Sequence, residues 1–275
     1  MGEDFAEWIG RSVTREDRVT ERLLAEYRAT LDPFLFRPQE KDACPPGFHW
    51  GLAPAVGKMS ELGVDGAEAM GLFLPPIPLT RRMWAGGALE TFNAIQIGMD
   101  VTRVAAIADV SLREGRSGPL CFVSVNHEIK SQGKLLVRER QDLVFRDGKA
   151  KPPAAPAPHA GASDVEWTVE PSAALLFRFS AFTFNGHRVH YDAPYAADVE
   201  GYGGLLVHGP LQAALLFNQA SAALGRVPGR FEYRCTAPLV AGYPARVTTQ
   251  RGENGATGRI VDHAGVVTAN AKSAA

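Results

Sequence analysis

Residues 209–225 read GPLQAALLFNQASAALG. Leu211, Ala214, Leu215, Phe217, Ala222 and Leu224 recur at helical spacing and cover most of the circumference. Pro210 suits the first turn and Gly225 the C-terminal cap. A helix apolar nearly all round must be buried, so the chain about it has to supply a wrapping. Downstream, RFEYRCTAPLVAG (230–242), PARVTTQRG (244–252), ATGRIVD (256–262) and VVTANAKS (266–273) supply four strand candidates. The expectation is a buried helix followed by a twisted antiparallel sheet that curls around it.

Upstream, the period changes along the chain. TREDRVTERLLAEYRATLD (14–32) predicts a helix capped by Thr14, with Val19, Leu23, Leu24, Tyr27 and Leu31 on its apolar side and Pro33 closing it. Residues 33–87 are rich in Pro and Gly and read as irregular wrapping, with a short helix near Glu61–Ala69. ALETFNAIQIG (88–98), DVTRVAAIADVSLREG (100–115), GPLCFVSVNHEIKS (118–131) and KLLVRERQDLVFRDG (134–148) then form an antiparallel meander, with Val123, Val125 and Ile129 on one buried face. KAKPPAAPAPHAGAS (149–163) carries almost no large apolar residue and reads as an extended linker. It separates residues 1–148 from residues 164–275, where ALLFRFS (174–180) is taken as a strand. The resulting fold class is α+β: two hot-dog halves in one chain, each a sheet wrapped around a helix.

Composition narrows the functions. The 275 residues, 45% hydrophobic and 21% charged, are those of an ordinary globular chain, and a net charge of −1 gives no footprint for nucleic acid or an anionic membrane. No apolar run approaches the roughly 18 residues of a membrane span. The acidic start MGEDFAEWIG lacks the character of a signal or transit peptide, so a cytoplasmic location is expected. Cys44, Cys121 and Cys235 are too far apart for a disulfide framework or a zinc site. No Gly-rich phosphate loop follows a strand, so no cofactor is expected.

The polar stretch FNGHRVHYDAPYA (184–196) has two readings. Asn185-Gly186 is a strong hairpin signal, with Phe182, Phe184, Val189 and Tyr191 alternating about it. Yet His187, Arg188 and His190 add more hydrogen-bonding groups than a turn requires, and Gly209 follows at the head of the buried helix. Backbone N–H groups there have no intrahelical acceptor and carry partial positive charge, so the Gly209 amide suits the developing oxyanion of a thioester. The competing reading makes His208-Gly209-Pro210 a plain helix start.

NGHRVHYD (185–192) followed by AADVEGYGGLLVHGPLQ (196–212) resembles the active-site region of the MaoC-like (R-specific) enoyl-CoA hydratases. Their pattern is Asp-x-Asn-Pro-x-His-x-Asp, then a His-Gly at the head of the central helix. The resemblance sets His190 on the catalytic histidine, Asp192 on the acidic residue two places on, and Gly209 on the oxyanion glycine. Asn185 stands where the family has its catalytic aspartate, His187 where it has asparagine, and Arg188 where it has proline. An amide cannot take a proton, which leaves His190 as the main acid/base and Asn185 to position water. FLPPIPLTRRMWAGGALETF (73–92), GRSGPLCFVSVNHEI (115–129), LVRERQDLVFR (136–146) and RFSAFTFNGHRVHYD (178–192) resemble the branch of hydroxyacyl-thioester dehydratase type 2 and the bacterial mesaconyl-CoA and itaconyl-CoA hydratases.

What the resemblance implies is a cofactor-free hydratase/dehydratase of a short unsaturated, dicarboxylic acyl-CoA. Two alternatives stay open: a 3-hydroxyacyl-thioester dehydratase of fatty-acid synthesis, and a non-catalytic acyl-CoA-binding subunit. Catalytic candidates are His190, Asn185 and Gly209. Substrate-binding candidates are Arg188, His187, Arg82, Arg81, Trp84 and His208, with Arg81, Arg82 and Trp84 expected in a loop before the first strand. Arg81 and Arg82 are either a carboxylate or phosphate clamp or a solvated pair, and His187 either a second acid/base or a packed neighbour. His49, His127, His159 and His263 each stand alone and read as structural or solvated. Pairing through sheet edges as a homodimer is compatible with this fold.

Overall fold

The computed structural model describes residues 5–115, 118–150 and 163–274. The helix expected at 209–225 forms as α3 (Gly209–Leu224), and Gly225 caps it in the left-handed region at φ 71°. Twelve of its sixteen residues are buried, including Gln212, Asn218, Gln219 and Ser221. Each of these polar groups is paired, which is the condition for burying it. The Gln219 amide nitrogen donates to Val247 O at 2.7 Å and its oxygen accepts from Thr249, while Gln212 accepts from Thr268. Asn218 donates to Pro46 O and accepts from Phe36 N, tying the irregular 33–80 region to the same helix. These bonds fix the axial position and rotation of α3, which apolar packing alone would leave looser.

The four downstream strands form as β7 (Arg230–Cys235), β8 (Ala245–Gly252), β9 (Gly255–Val261) and β10 (Val267–Ala274). With β6 (Val165–Val169) on the edge, they curl about α3, which packs on β8, β9 and β10. The earlier strands are β1 (Ser12–Arg18), β2 (Arg81–Thr91), β3 (Asp100–Gly115), β4 (Gly118–Ser131) and β5 (Lys134–Arg146). All ten join in one antiparallel sheet of order β1-β3-β4-β5-β2-β7-β10-β9-β8-β6. The seam between its early and late strands is β2 against β7, with Gly87 opposite Tyr233. A Cβ on Gly86 would lie 2.5 Å from Tyr233 O and one on Gly87 2.4 Å from Arg140 O, so only glycine allows this approach. The double hot dog is present, but its halves are filled differently. Alongside β3, β4 and β5 there is no counterpart of α3 among the described residues, and their face lines a cavity instead.

Five local expectations are corrected. Residues 14–18 are not helix but part of β1, paired with β3, and Thr20 caps α1 (Glu21–Leu31) by accepting from Leu23 N at 3.1 Å. The polar run 12–18 alternates between exposed and half-buried positions, a period of two that the edge of β3 completes. ALLFRFS is not a strand but lies in α2 (Ala173–Thr183), capped by Ser172, because Leu176, Phe179 and Phe182 share one buried side. Asn185-Gly186 therefore ends a helix, with Phe184 in the left-handed C-cap at φ 51°, and is no hairpin. The first meander strand begins at Arg81 and stops at Thr91, which puts Arg81, Arg82 and Trp84 on β2 rather than in a loop. Near Glu61–Ala69 only a 3-10 turn forms, at Met59–Glu61. Most of the Pro/Ala-rich segment, residues 151–162, lies outside the described residues, as do the first four.

Candidate active site

The stretch 184–192 is held from both sides. The Asn185 Oδ1 accepts from His187 N at 3.0 Å, an Asx turn that leaves the amide nitrogen as the free end of that side chain. Gly186 abuts Gly66, where a Cβ on Gly186 would come within 2.5 Å of Gly66 O. Arg188 N donates to Asp65 O at 2.7 Å, and the Arg188 guanidinium donates to Asp192 Oδ2 at 2.8 and 3.0 Å and to Val64 O. Asp192 Oδ1 in turn accepts from Tyr195 N. Arg188 and Asp192 are thus spent on each other, and Arg188 is not on the cavity wall.

Beyond this brace the backbone carries His190 against 205–209. Leu206 N donates to Val189 O, and His190 Nδ1 lies 2.7 Å from Leu206 O. A carbonyl only accepts, so the proton sits on Nδ1 and the lone pair of Nε2 is left for the cavity that His190 lines. The ring stacks on His208 at 3.6 Å between centroids and meets the edge of His187 at 5.5 Å. Burial to 6% exposure pushes the His190 imidazole down to about 3; His187 adds to the shift and the Leu206 bond opposes it. His190 is therefore a neutral acceptor at any physiological pH. His208 bonds Ser180 Oγ at 2.8 Å and burial holds it well below its ordinary value, but it stands behind His190 and does not reach the cavity.

Gly209 opens α3 on the same cavity, with no side chain capping the helix end. Its lack of a Cβ has a reason the sequence did not show: a Cβ there would lie 2.9 Å from Trp84 Cβ and Cδ1 and 3.0 Å from Cγ. A β-bulge between Trp84 and Gly86 lets the indole meet α3, and its Nε1 donates to Tyr233 OH at 2.8 Å.

Carboxylates that sequence reasoning missed surround His187. Its Nε2 lies 3.8 Å from Glu200 Oε1 and 3.9 Å from Asp65 Oδ2, too far for a hydrogen bond to either. Arg81 donates to Glu200 at 3.1 Å, to Gly148 O and to Tyr202 OH, so it is tied into a buried structural pair instead of forming a free clamp. Arg82 faces Asp65 at 3.4 Å and donates to Glu68 O.

These elements enclose a cavity of about 1120 Å³ lined by His190, Asn185, His187, Gly209, Arg81, Arg82 and Trp84. Among the described residues its wall carries five arginines (Arg15, Arg81, Arg82, Arg103, Arg146) and one acidic residue, Glu68; Glu200 and Asp65 already pair with Arg81 and Arg82, so Arg15, Arg103 and Arg146 remain to favour an anionic occupant. Cys235 also lines it, but burial pushes that thiol up to about 12, which removes it as a nucleophile. His127, taken above as isolated, lines it too and receives a hydrogen bond from Arg103. The signal was available: both sit on the buried register of their strands, between Val125 and Ile129 and between Val101 and Ala105. Among the described residues no group of three His, Cys, Asp or Glu could hold a metal, and no helix is long and apolar enough to cross a membrane.

Fold and comparison together define a class: this is a hydro-lyase, an acyl-thioester hydratase/dehydratase on a double hot-dog sheet. More narrowly, the chain belongs to the hydroxyacyl-thioester dehydratase type 2 family, whose model matches residues 47–241. It is 40% identical over 246 residues to the mesaconyl-C(4)-CoA hydratase of Chloroflexus aurantiacus, covering 89% of this chain and 88% of that one. Two solved structures share the fold at low identity. HtdX of Mycobacterium tuberculosis has TM-score 0.68 and 20% identity, covering 95% of this chain and 98% of its own. A second protein of that organism, described as having a double hotdog fold, has TM-score 0.56 and 12% identity, with 96% of each chain covered.

Proposed function

We propose that the protein reversibly hydrates a short α,β-unsaturated dicarboxylic acyl-CoA of the mesaconyl or itaconyl type. In this reading the Gly209 N–H holds the thioester oxygen, and the Asn185 amide nitrogen donates to the attacking water. His190 Nε2 accepts a proton from that water as its oxygen bonds the β-carbon. The electron pair of the double bond moves to the α-carbon and thioester oxygen as an enolate, and His190 then returns the proton to the α-carbon. Each turn restores the neutral imidazole, so no other acid or base is required. One observation carries the reading: His190, its Nδ1 pinned to Leu206, and Gly209 line the same cavity. The arginine-rich wall and the 40% identity to a mesaconyl-C(4)-CoA hydratase support an anionic acyl group.

The test follows loss of the conjugated enoyl-thioester absorbance over a panel of acyl-CoAs with and without a distal carboxylate. His190→Ala is expected to lower kcat by about 10²- to 10⁴-fold. Equal turnover by native protein and variant refutes the catalytic assignment. A native preference for long uncharged chains replaces the substrate with a fatty-acyl one.

A further inference from the structure

The cavity wall built by β3, β4 and β5 carries a guanidinium with no carboxylate bonded to it. Arg103 is 8% exposed, yet among the described residues it makes no ion pair. Its Nε donates to His127 Nδ1 at 3.1 Å and its Nη1 to Leu52 O at 3.2 Å, and Nη2 makes no hydrogen bond among the described residues. A guanidinium can only donate, so Nδ1 is the accepting nitrogen of His127 and the ring proton sits on Nε2. That Nε2–H is covered by protein, with the Gln141 side chain beside it. Burial holds His127 neutral, down to about 3, so it remains a one-proton donor across physiological pH.

The carboxylate closest to hand, Glu139, attracts Arg103 through space but is already committed. Glu139 accepts from Trp50 Nε1 at 2.8 Å and from Gln141 Nε2 at 2.8 Å, faces His49 at 3.6 Å, and does not line the cavity. Arg103 Nη2 thus offers a donor from a buried wall with nothing among the described residues to accept it. Leaving a guanidinium in that state is costly unless an anion completes it. Ala105, Val125 and Leu143 line the cavity from the same strands, so the complement is one small anionic group on a carbon chain, not a hydrated diphosphate.

We propose that Arg103, held by His127, forms a buried subsite for the free carboxylate at the far end of the acyl chain. It deepens the dicarboxylic acyl-CoA reading and rests on it for the thioester end. The guanidinium supplies the charge and the free donor, His127 fixes its orientation by accepting from Nε, and Gln141 holds Glu139 away from the ligand.

The probes are two stable thioethers of equal chain length, S-(3-carboxypropyl)-CoA and S-butyl-CoA, titrated calorimetrically into the full chain. Native protein is expected to bind the carboxylate form about 30-fold more tightly, the scale of hydrogen bonds to a charged group. Arg103→Met is expected to bring that ratio near one. Arg103→Lys keeps the charge but loses the fork; it is expected to give an intermediate ratio, and it serves if the methionine variant does not fold. Equal native affinities overturn the subsite. So does a ratio that survives both substitutions at Arg103, or one that collapses in Arg82→Met instead. Neither probe reacts, so the readout is independent of turnover. Discrimination through Arg103 in a protein that hydrates no enoyl-CoA refutes the reaction and keeps the subsite.

Discussion

Gly209→Ala is the substitution with the most to say about how the site is built. The added methyl would meet Trp84 Cβ, Cγ and Cδ1 at 2.9, 3.0 and 2.9 Å, all well inside ordinary carbon contact. Trp84 has little freedom to withdraw, since its backbone pairs with Leu143 of β5 and its Nε1 is bonded to Tyr233. The first turn of α3 must therefore yield, and with it the amide proposed to hold the thioester. Overpacking of this kind costs about 1–3 kcal/mol. A shift of a few tenths of an ångström at the oxyanion donor is expected to lower kcat about tenfold or more, with KM changed less. Urea unfolding and steady-state hydration are measured on Gly209→Ala, on Trp84→Ala and on the double variant. Trp84→Ala removes two of the three close atoms and the tether to Tyr233, so the pair is expected to couple by at least about 1 kcal/mol in stability. Additive stability effects, or a Gly209→Ala protein as stable as the native one, refute the packing argument. If stability returns in the double variant while kcat does not, the glycine serves the thioester as well as the tryptophan.

Other outcomes follow from the same geometry. With His190 down at about 3, its proton is already absent at neutral pH, so the acid limb of kcat/KM is expected to stay flat below pH 6.5; a break near that value refutes a buried neutral base. Stability should move the other way. His190, His127 and His208 bind protons less readily folded than unfolded, so stability is full above about pH 6.5 and declines as pH falls, by up to roughly 1.4 kcal/mol per unit for each ring. Acid-induced unfolding monitored between pH 7 and 4 checks this, and a flat profile contradicts it. Glu200→Ala strands the buried Arg81 guanidinium and is expected to cost about 3–5 kcal/mol by chemical denaturation; a loss under 1 kcal/mol means the pair is not structural. Thr20→Ala should cost about 1 kcal/mol and Thr14→Ala close to nothing, and the reverse order would put the helix start back at Thr14.

How far the sequence could be read depended on how local the cause was. The helix at 209–225 was legible because its apolar residues cover it on all sides, a pattern only burial explains. The alternating strands after it were legible for the same kind of reason. Residues 12–18 and 174–180 were misread because each fits two periods: the first needed the edge of β3 to become a strand, and the second needed the core around Phe179 and Phe182 to become a helix. His190, Asn185 and Gly209 could be chosen by motif, and the cavity contains all three. Arg188 and His208 carry the same motif and are turned to Asp192 and Ser180.

By itself, the order of residues determined the buried helix, the sheet that closes on it and the polar turn that bears His190, since each follows from hydrophobic period or a short motif. Only the tertiary structure decided that Trp84 fills the space Gly209 leaves, and that Glu200, 119 residues on, neutralises Arg81. It also decided that Arg103, held by His127, faces a cavity with a donor left over. Those are contacts between strands remote in sequence, fixed by sheet register and by which half lacks a central helix, and no period along one strand encodes its neighbour.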